Sequence, residues 1–258
     1  MRLSLSEPID RWLAPAPDAR KVAWIGEHVF AHRGLHGGGV PENSASAFAG
    51  AMARGFGIEC DIQRSGDGQA MVFHDWNLDR LTAGTGPVAG HSAEELGRIA
   101  LTGSGGDTIP TLRRLLDQVA GGVPLLIEVK SRRNSPVAAI CMAVQRELAG
   151  YRGLHAVMSF DPRVPRWFAV HAPETVRGLV VTEENGKALP GRIGRHLALW
   201  QARPDFLAYD IRDLPSRFAA RQRQRGLPVA SWTVRSAELR ERAERHADAP
   251  IAEGAGIA

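Results

Sequence analysis

The 258-residue chain has only two cysteines, three lysines, and no apolar run long enough to cross a bilayer. Each scarcity excludes a class of protein. Cys60 and Cys141 cannot build a disulfide framework, and both lie inside apolar runs, which predicts buried, reduced thiols. A transmembrane helix needs about 18 consecutive apolar residues, so no transmembrane segment is expected. The opening stretch MRLSLSEPIDRWLAPAPDARK lacks the basic-then-apolar order of an export signal, and the expected location is cytoplasmic. With lysine only at Lys21, Lys130 and Lys187, arginine carries nearly all of the basic charge behind the net +4. Much of it alternates with alanine or acid in SRFAARQRQRG (216 to 226) and ELRERAERHA (238 to 247), the pattern of solvated outer helices. A nucleic-acid surface would interleave aromatics or carry a known module, so no nucleic-acid partner is expected. No G-x-S-x-G accompanies the HGGG at 36 to 39, which removes an α/β-hydrolase, and no G-x-G-x-x-G nucleotide fingerprint occurs.

What the chain does contain is an alternation of short apolar β-rich runs with longer helical patterns. The runs are HVFAHRG (28 to 34), GIECDIQRS (57 to 65), AMVFH (70 to 74), VPLLIEVK (123 to 130), LHAVMSF (154 to 160), TVRGLVVTE (175 to 183), FLAYDIR (206 to 212), LPVASWTV (227 to 234) and a ninth at APIAEG. Strands separated by helices imply βαβ units and a parallel sheet. Only Ser65-Gly66-Asp67-Gly68-Gln69 separates the second run from the third, too short for a crossover helix, and Asp-Gly there signals an antiparallel hairpin. Setting the returning strand aside leaves eight parallel strands. The expected fold class is therefore α/β, a (β/α)8 TIM barrel with a hairpin after the second strand. No linker interrupts the pattern, so one domain is expected over residues 1–258. Ser92 to Glu95 has capping-box spacing before Leu96, Ile99 and Leu101, and Gly121 follows the helical pattern TLRRLLDQVA. The loop TGSGGDT (102 to 108) reads as a connector.

Side chains at the C-terminal ends of barrel strands surround the active site of such folds. Here those ends carry His32 and Arg33, Glu59 and Asp61, and Glu128 and Lys130. Residues two apart on a strand share a face, so Glu59 projects with Asp61 and Glu128 with Lys130. Three carboxylates at one mouth repel unless a cation sits among them, and an oxygen-only set favours Mg²⁺ or Ca²⁺. The bland alternative is an ion-pair network with Arg33, Arg64 and Lys130. The hairpin is expected to return His74 and Asp75 to the same mouth. Two imidazoles, His32 and His74, could then serve as general base and general acid, with Arg33 and Lys130 holding phosphoryl oxygens. This pattern suggests a phosphate ester as substrate. Glu42-Asn43 after Pro41 reads as a helix start with Asn43, beside Ser44, as the cap.

Taken together, HRG (32 to 34), PENS (41 to 44), ECDIQRSGDGQAMVFHD (59 to 75), LDRLT (78 to 82), EVK (128 to 130), SF (159 to 160) and SWTV (231 to 234) resemble the glycerophosphodiester phosphodiesterase family, in order and across most of the barrel. The resemblance implies a metal-dependent hydrolase of lipid metabolism that cuts a small-molecule glycerophosphodiester into glycerol 3-phosphate and an alcohol. It implies Glu59, Asp61 and Glu128 as ligands of a divalent metal and His32 and His74 as the catalytic pair. Arg33 and Lys130 would lie near the phosphate, Glu42 would be a further metal or substrate contact, and Trp232 would line the alcohol side or lie in the core. It further implies attack by the substrate's own 2-hydroxyl through a cyclic phosphate. Arg235 and the ending ADAPIAEGAGIA depart from the family's usual pattern, which bears on the alcohol side of the pocket. The competing readings are a lysophospholipase D or sphingomyelinase D-like phosphodiesterase and a noncatalytic phosphate- or metal-binding barrel. The sequence leaves the oligomeric state open.

Overall fold

The computed structural model describes residues 6–257 apart from 133, 185 and 187; the first five residues of the opening stretch and Lys187 lie outside the described residues. Eight parallel strands close into a barrel: β1 (Phe30–His32), β2 (Gly57–Arg64), β4 (Leu125–Val129), β5 (His155–Ser159), β6 (Val176–Val181), β7 (Phe206–Asp210), β8 (Val229–Val234) and β9 (Ala249–Ala252). The short strand β3 (Ala70–Val72) pairs antiparallel with β2, completing the expected hairpin. β1 pairs with both β2 and β9, and this double pairing closes the ring. Helices follow the parallel strands on the outside, which makes the fold a TIM barrel.

Period-two alternation inside nearly continuous apolar runs explains how these strands are used. On β2, Ile58, Cys60 and Ile62 face the helical shell, and on β4, Leu125, Ile127 and Val129 do the same. The other parity, Phe30, Leu126, Ala156, Phe206, Ala208 and Ile251, fills the barrel interior together with Trp24 from the turn Ala23–Glu27. Large and small residues interlock there. A Cβ at Gly178 would meet the Phe206 ring at 2.3 Å, and one at Gly57 would meet the Phe30 ring at 2.5 Å. Toward the C-terminal side of the barrel the interior-facing set turns polar, with His32, Glu59, Asp61, Gln63, Glu128 and Asp210 all buried.

Cys60 and Cys141 are buried free thiols, as expected. Ser92 makes the full capping box with Glu95, but the helix it opens ends at Leu96; Ile99 and Leu101 pack beyond it rather than on it. At the end of helix Leu112–Val119, Ala120 caps with φ 46° and Gly121 follows it, also left-handed, at φ 80°. The 102 to 108 loop is held by Thr102 N donating to Leu81 O and Leu101 N to Asp107 O, each at 2.8 Å. No helix among the described residues is long and apolar enough to cross a membrane.

Helix Ser6–Leu13 carries a feature with no sequence signal. Asp10 is buried and accepts from Trp200 Nε1 at 2.8 Å and Gln222 Nε2 at 3.0 Å, with His196 Nδ1 at 2.9 Å. The carboxylate thus pins the first helix to two helices of the last third of the chain. Removing it strands three donors, and Asp10→Ala is expected to cost about 2–3 kcal/mol of stability, read from the urea midpoint.

Candidate active site

The turn after β1 depends on two residues with left-handed backbones. Arg33 has φ 56° and Gly34 φ 79°. A Cβ at Gly34 would lie 2.8 Å from Ala47 Cβ, so only glycine lets the following helix, Ala45–Ala53, approach this closely. Because Arg33 turns here, its backbone N–H donates to Glu59 Oε2 at 3.1 Å. Its guanidinium reaches Glu42 Oε1 at 2.8 Å and Asp61 Oδ2 at 3.1 Å. The Nε atom is buried and makes no well-aligned hydrogen bond, although the Asp61 oxygen lies within ion-pair distance.

Strand register stacks the acids in two levels: His32 pairs with Glu59 across β1–β2, and Asp61 pairs with Glu128 across β2–β4. Each of Glu59, Asp61 and Glu128 offers a carboxylate oxygen, and these atoms lie within 4.8 Å of one another. Lys130 Nζ bridges Asp61 Oδ1 at 2.9 Å and Glu128 Oε1 at 2.8 Å. Burial, reinforced by the charges of Asp61 and Glu128, pushes the Glu59 carboxyl well above the usual range. Burial also raises Glu128 despite the neighbouring Lys130. At Asp61 burial acts in the same direction, but Lys130 and Arg33 outweigh it and hold that carboxyl low. Three acids against Arg33 and Lys130 leave a negative charge uncompensated when all are ionised. A buried, oxygen-only donor set with that residual charge fits a hard divalent cation.

The hairpin delivers His74 beyond the end of β3. Gln63, on the inward face of β2, donates from Nε2 to the carbonyls of Phe73, His74 and Asp75 and so fixes this segment. His74 Nδ1 lies 2.6 Å from Asp75 Oδ1, and Arg80 Nε donates to Asp75 Oδ2 at 2.5 Å. Hydrogen bonds from Arg80 hold the Asp75 carboxyl down at about 2. His32 has a comparable partner at the other end of the chain: its Nδ1 hydrogen-bonds Glu253 Oε2, just past β9. Burial lowers the pKa of the His32 ring against the opposing pull of Glu253.

His32, Arg33, Glu59, His74, Glu128, Lys130 and Trp232 line one cavity of about 350 Å³, with Asp61 buried outside that lining. Trp232 is half-buried, donates from Nε1 to Ala208 O, and meets Phe160 edge-on with ring centres 5.4 Å apart. Glu42 is not among the lining residues; Arg33 and Arg80 clamp it. Two expectations need correction. Asn43 is not a helix cap: Ser44 caps, accepting from Ala47 N, while Asn43 is buried at φ 54° with Nδ2 donating to Asp61 Oδ2 at 3.0 Å. Arg64 takes no part in the network, since it has the outward parity of β2 and is exposed. Asp75 stands beside His74, with which it was expected at the mouth. Gln63, Arg80 and Glu253 were not singled out from sequence as site residues; for Gln63, inward parity with Glu59 and Asp61 was an available signal.

Residues 32–252 match the sequence profile of the glycerophosphoryl diester phosphodiesterase family, and the chain belongs to that family. It is 37% identical over 112 residues to a glycerophosphodiester phosphodiesterase of Bacillus altitudinis, covering 41% of this chain and 45% of that protein. A glycerophosphodiester phosphodiesterase of Caldanaerobacter subterraneus is 38% identical over 110 residues, covering 40% of this chain and 45% of the relative. The matched stretches thus span about half the length of these curated relatives. Among solved structures, a phosphodiesterase of Oleispira antarctica in complex with the product sn-glycerol-3-phosphate superposes with TM-score 0.76 at 23% identity, covering 90% of this chain and 94% of that one. A glycerophosphodiester phosphodiesterase of Thermotoga maritima gives TM-score 0.68 at 24% identity, covering 87% and 93%. At these identities the structural matches establish the shared barrel.

Proposed function

We propose that this chain, as one catalytic domain, hydrolyses glycerophosphodiesters to glycerol 3-phosphate and a free alcohol. The observation that carries the reading is the convergence on one cavity of two imidazoles, two of the three clustered acids, Arg33 and Lys130, each from a motif of the family to which the chain belongs. The product bound to the Oleispira protein has the chemistry this cavity would accept.

Glu59, Asp61 and Glu128 would hold a divalent cation, Mg²⁺ or Ca²⁺, which when bound supplies positive charge for nonbridging phosphoryl oxygens and acidifies a hydroxyl beside it. The chain's own groups do the rest. Arg33 and Lys130 orient the phosphodiester from the cavity wall. One imidazole takes the proton of the glycerol 2-hydroxyl as its oxygen forms a bond to phosphorus; the other delivers a proton to the departing alcohol oxygen as that P–O bond breaks. Water then opens the resulting cyclic phosphate with the proton traffic reversed. Preset geometry favours such intramolecular attack, and the chain needs no nucleophile of its own. Trp232 and Phe160 give the cavity an apolar lip for the alcohol.

The test is turnover with divalent metal present, comparing glycerophosphocholine with lysophosphatidylcholine. Release of glycerol 3-phosphate from the first is expected. Preference for the second would transfer the chain to the lysophospholipid-cleaving reading, and binding of either without release would make it a binding barrel.

A further inference from the structure

Both histidines of the cavity are gripped in the same manner. His74 Nδ1 faces Asp75, which Arg80 holds at 2.5 Å. His32 Nδ1 faces Glu253, which Arg235 Nε holds through Oε1 at 2.6 Å. The first grip is local, within residues 74 to 80. The second joins residues 221 positions apart and uses Arg235 and the segment just past β9.

We propose that Glu253, itself fixed by Arg235, is the positioning residue of His32, setting its tautomer and ring orientation. The inference rests on the reading of His32 as a proton shuttle. An ionised carboxylate only accepts hydrogen bonds, so a neutral His32 must carry its proton on Nδ1 and leave Nε2 bare. Nε2 lies 4.0 Å from Glu59 Oε2, on the side of the acid cluster. When Nε2 gains a proton, the imidazolium is stabilised at its opposite nitrogen by the Glu253 charge in a buried setting. The carboxylate is well supplied with donors: Arg235 holds one oxygen, and His36 Nε2 lies 3.3 Å from the other. With the Arg235 side chain 61% exposed, the triplet runs from the protein surface to the cavity.

The experiment pairs kinetics with a double-mutant cycle. Glu253→Ala is expected to lower kcat by about 10- to 100-fold with little change in KM or in divalent-ion affinity. Glu253→Gln, whose amide oxygen can still accept from Nδ1, should recover part of the loss. In a His32→Ala background Glu253→Ala should add almost nothing, whereas a merely structural role would multiply. Long-range ¹H–¹⁵N spectra should find the His32 proton on Nδ1 in the wild type and redistributed in Glu253→Ala. Wild-type kcat in Glu253→Ala, a multiplicative double mutant, or an Nε2–H tautomer in the wild type would overturn the inference. So would loss of a second bound divalent ion on Glu253→Ala, because His32, His36 and Glu253 would then be metal ligands. Unchanged kcat in His32→Ala would instead overturn the active-site reading beneath it.

Discussion

His32→Ala and His74→Ala each lower kcat by about 10²- to 10⁴-fold, while divalent-ion binding measured by calorimetry persists. The expected size follows from removing one of two groups that move protons during a single displacement. Persistence of ion binding follows from geometry. Neither imidazole belongs to the trio of clustered carboxylates, and each turns Nδ1 toward a different carboxylate, Glu253 or Asp75. Loss of the ion in either variant would reassign that histidine as a ligand. Loss of kcat in only one would reduce the pair to a single shuttle.

Glu59→Gln and Glu128→Ala behave differently: both lose the ion, and activity falls by about 10³-fold or more, as does that of the wild type after chelation. The charge balance of the cluster supplies a second readout. Without the ion, burial and two neighbouring carboxylates oppose ionisation of Glu59, so Glu59→Gln relieves repulsion and should melt no lower than the ion-free wild type. With ion at about 100 times its dissociation constant, the wild type gains about 2.7 kcal/mol and the variant nothing. Because a raised Glu59 must shed its proton to coordinate, ion affinity should fall as pH falls. Equal thermal shifts in variant and wild type would show that the ion binds elsewhere.

Much of the barrel was legible because its strands are buried on both faces, so they stand out as short apolar runs, and the Asp-Gly turn separated the hairpin from the parallel set. The E-x-D and E-x-K pairs were legible for the same reason, as acids interrupting such runs at period two. Parity also excludes Arg64, which lies an odd number of positions from Glu59 and Asp61 and so faces outward. Asn43 misled because Asn and Ser are both good caps, and only the backbone angles assign the cap to Ser44 and leave Asn43 for Asp61. Glu253 was not legible. A single glutamate in a glycine- and alanine-rich terminus carries no periodicity, and its partner is set by ring closure rather than by local sequence.

That closure has a consequence for the order of assembly. β1 carries His32 and is an edge until β9 arrives, and Glu253 follows β9 directly. A polypeptide emerging from the ribosome would have synthesised the three clustered acids and both imidazoles long before β9, yet the contact of Glu253 with His32 cannot form until β9 joins β1. Under the proposed role of Glu253, catalytic competence would therefore report closure of the whole circle.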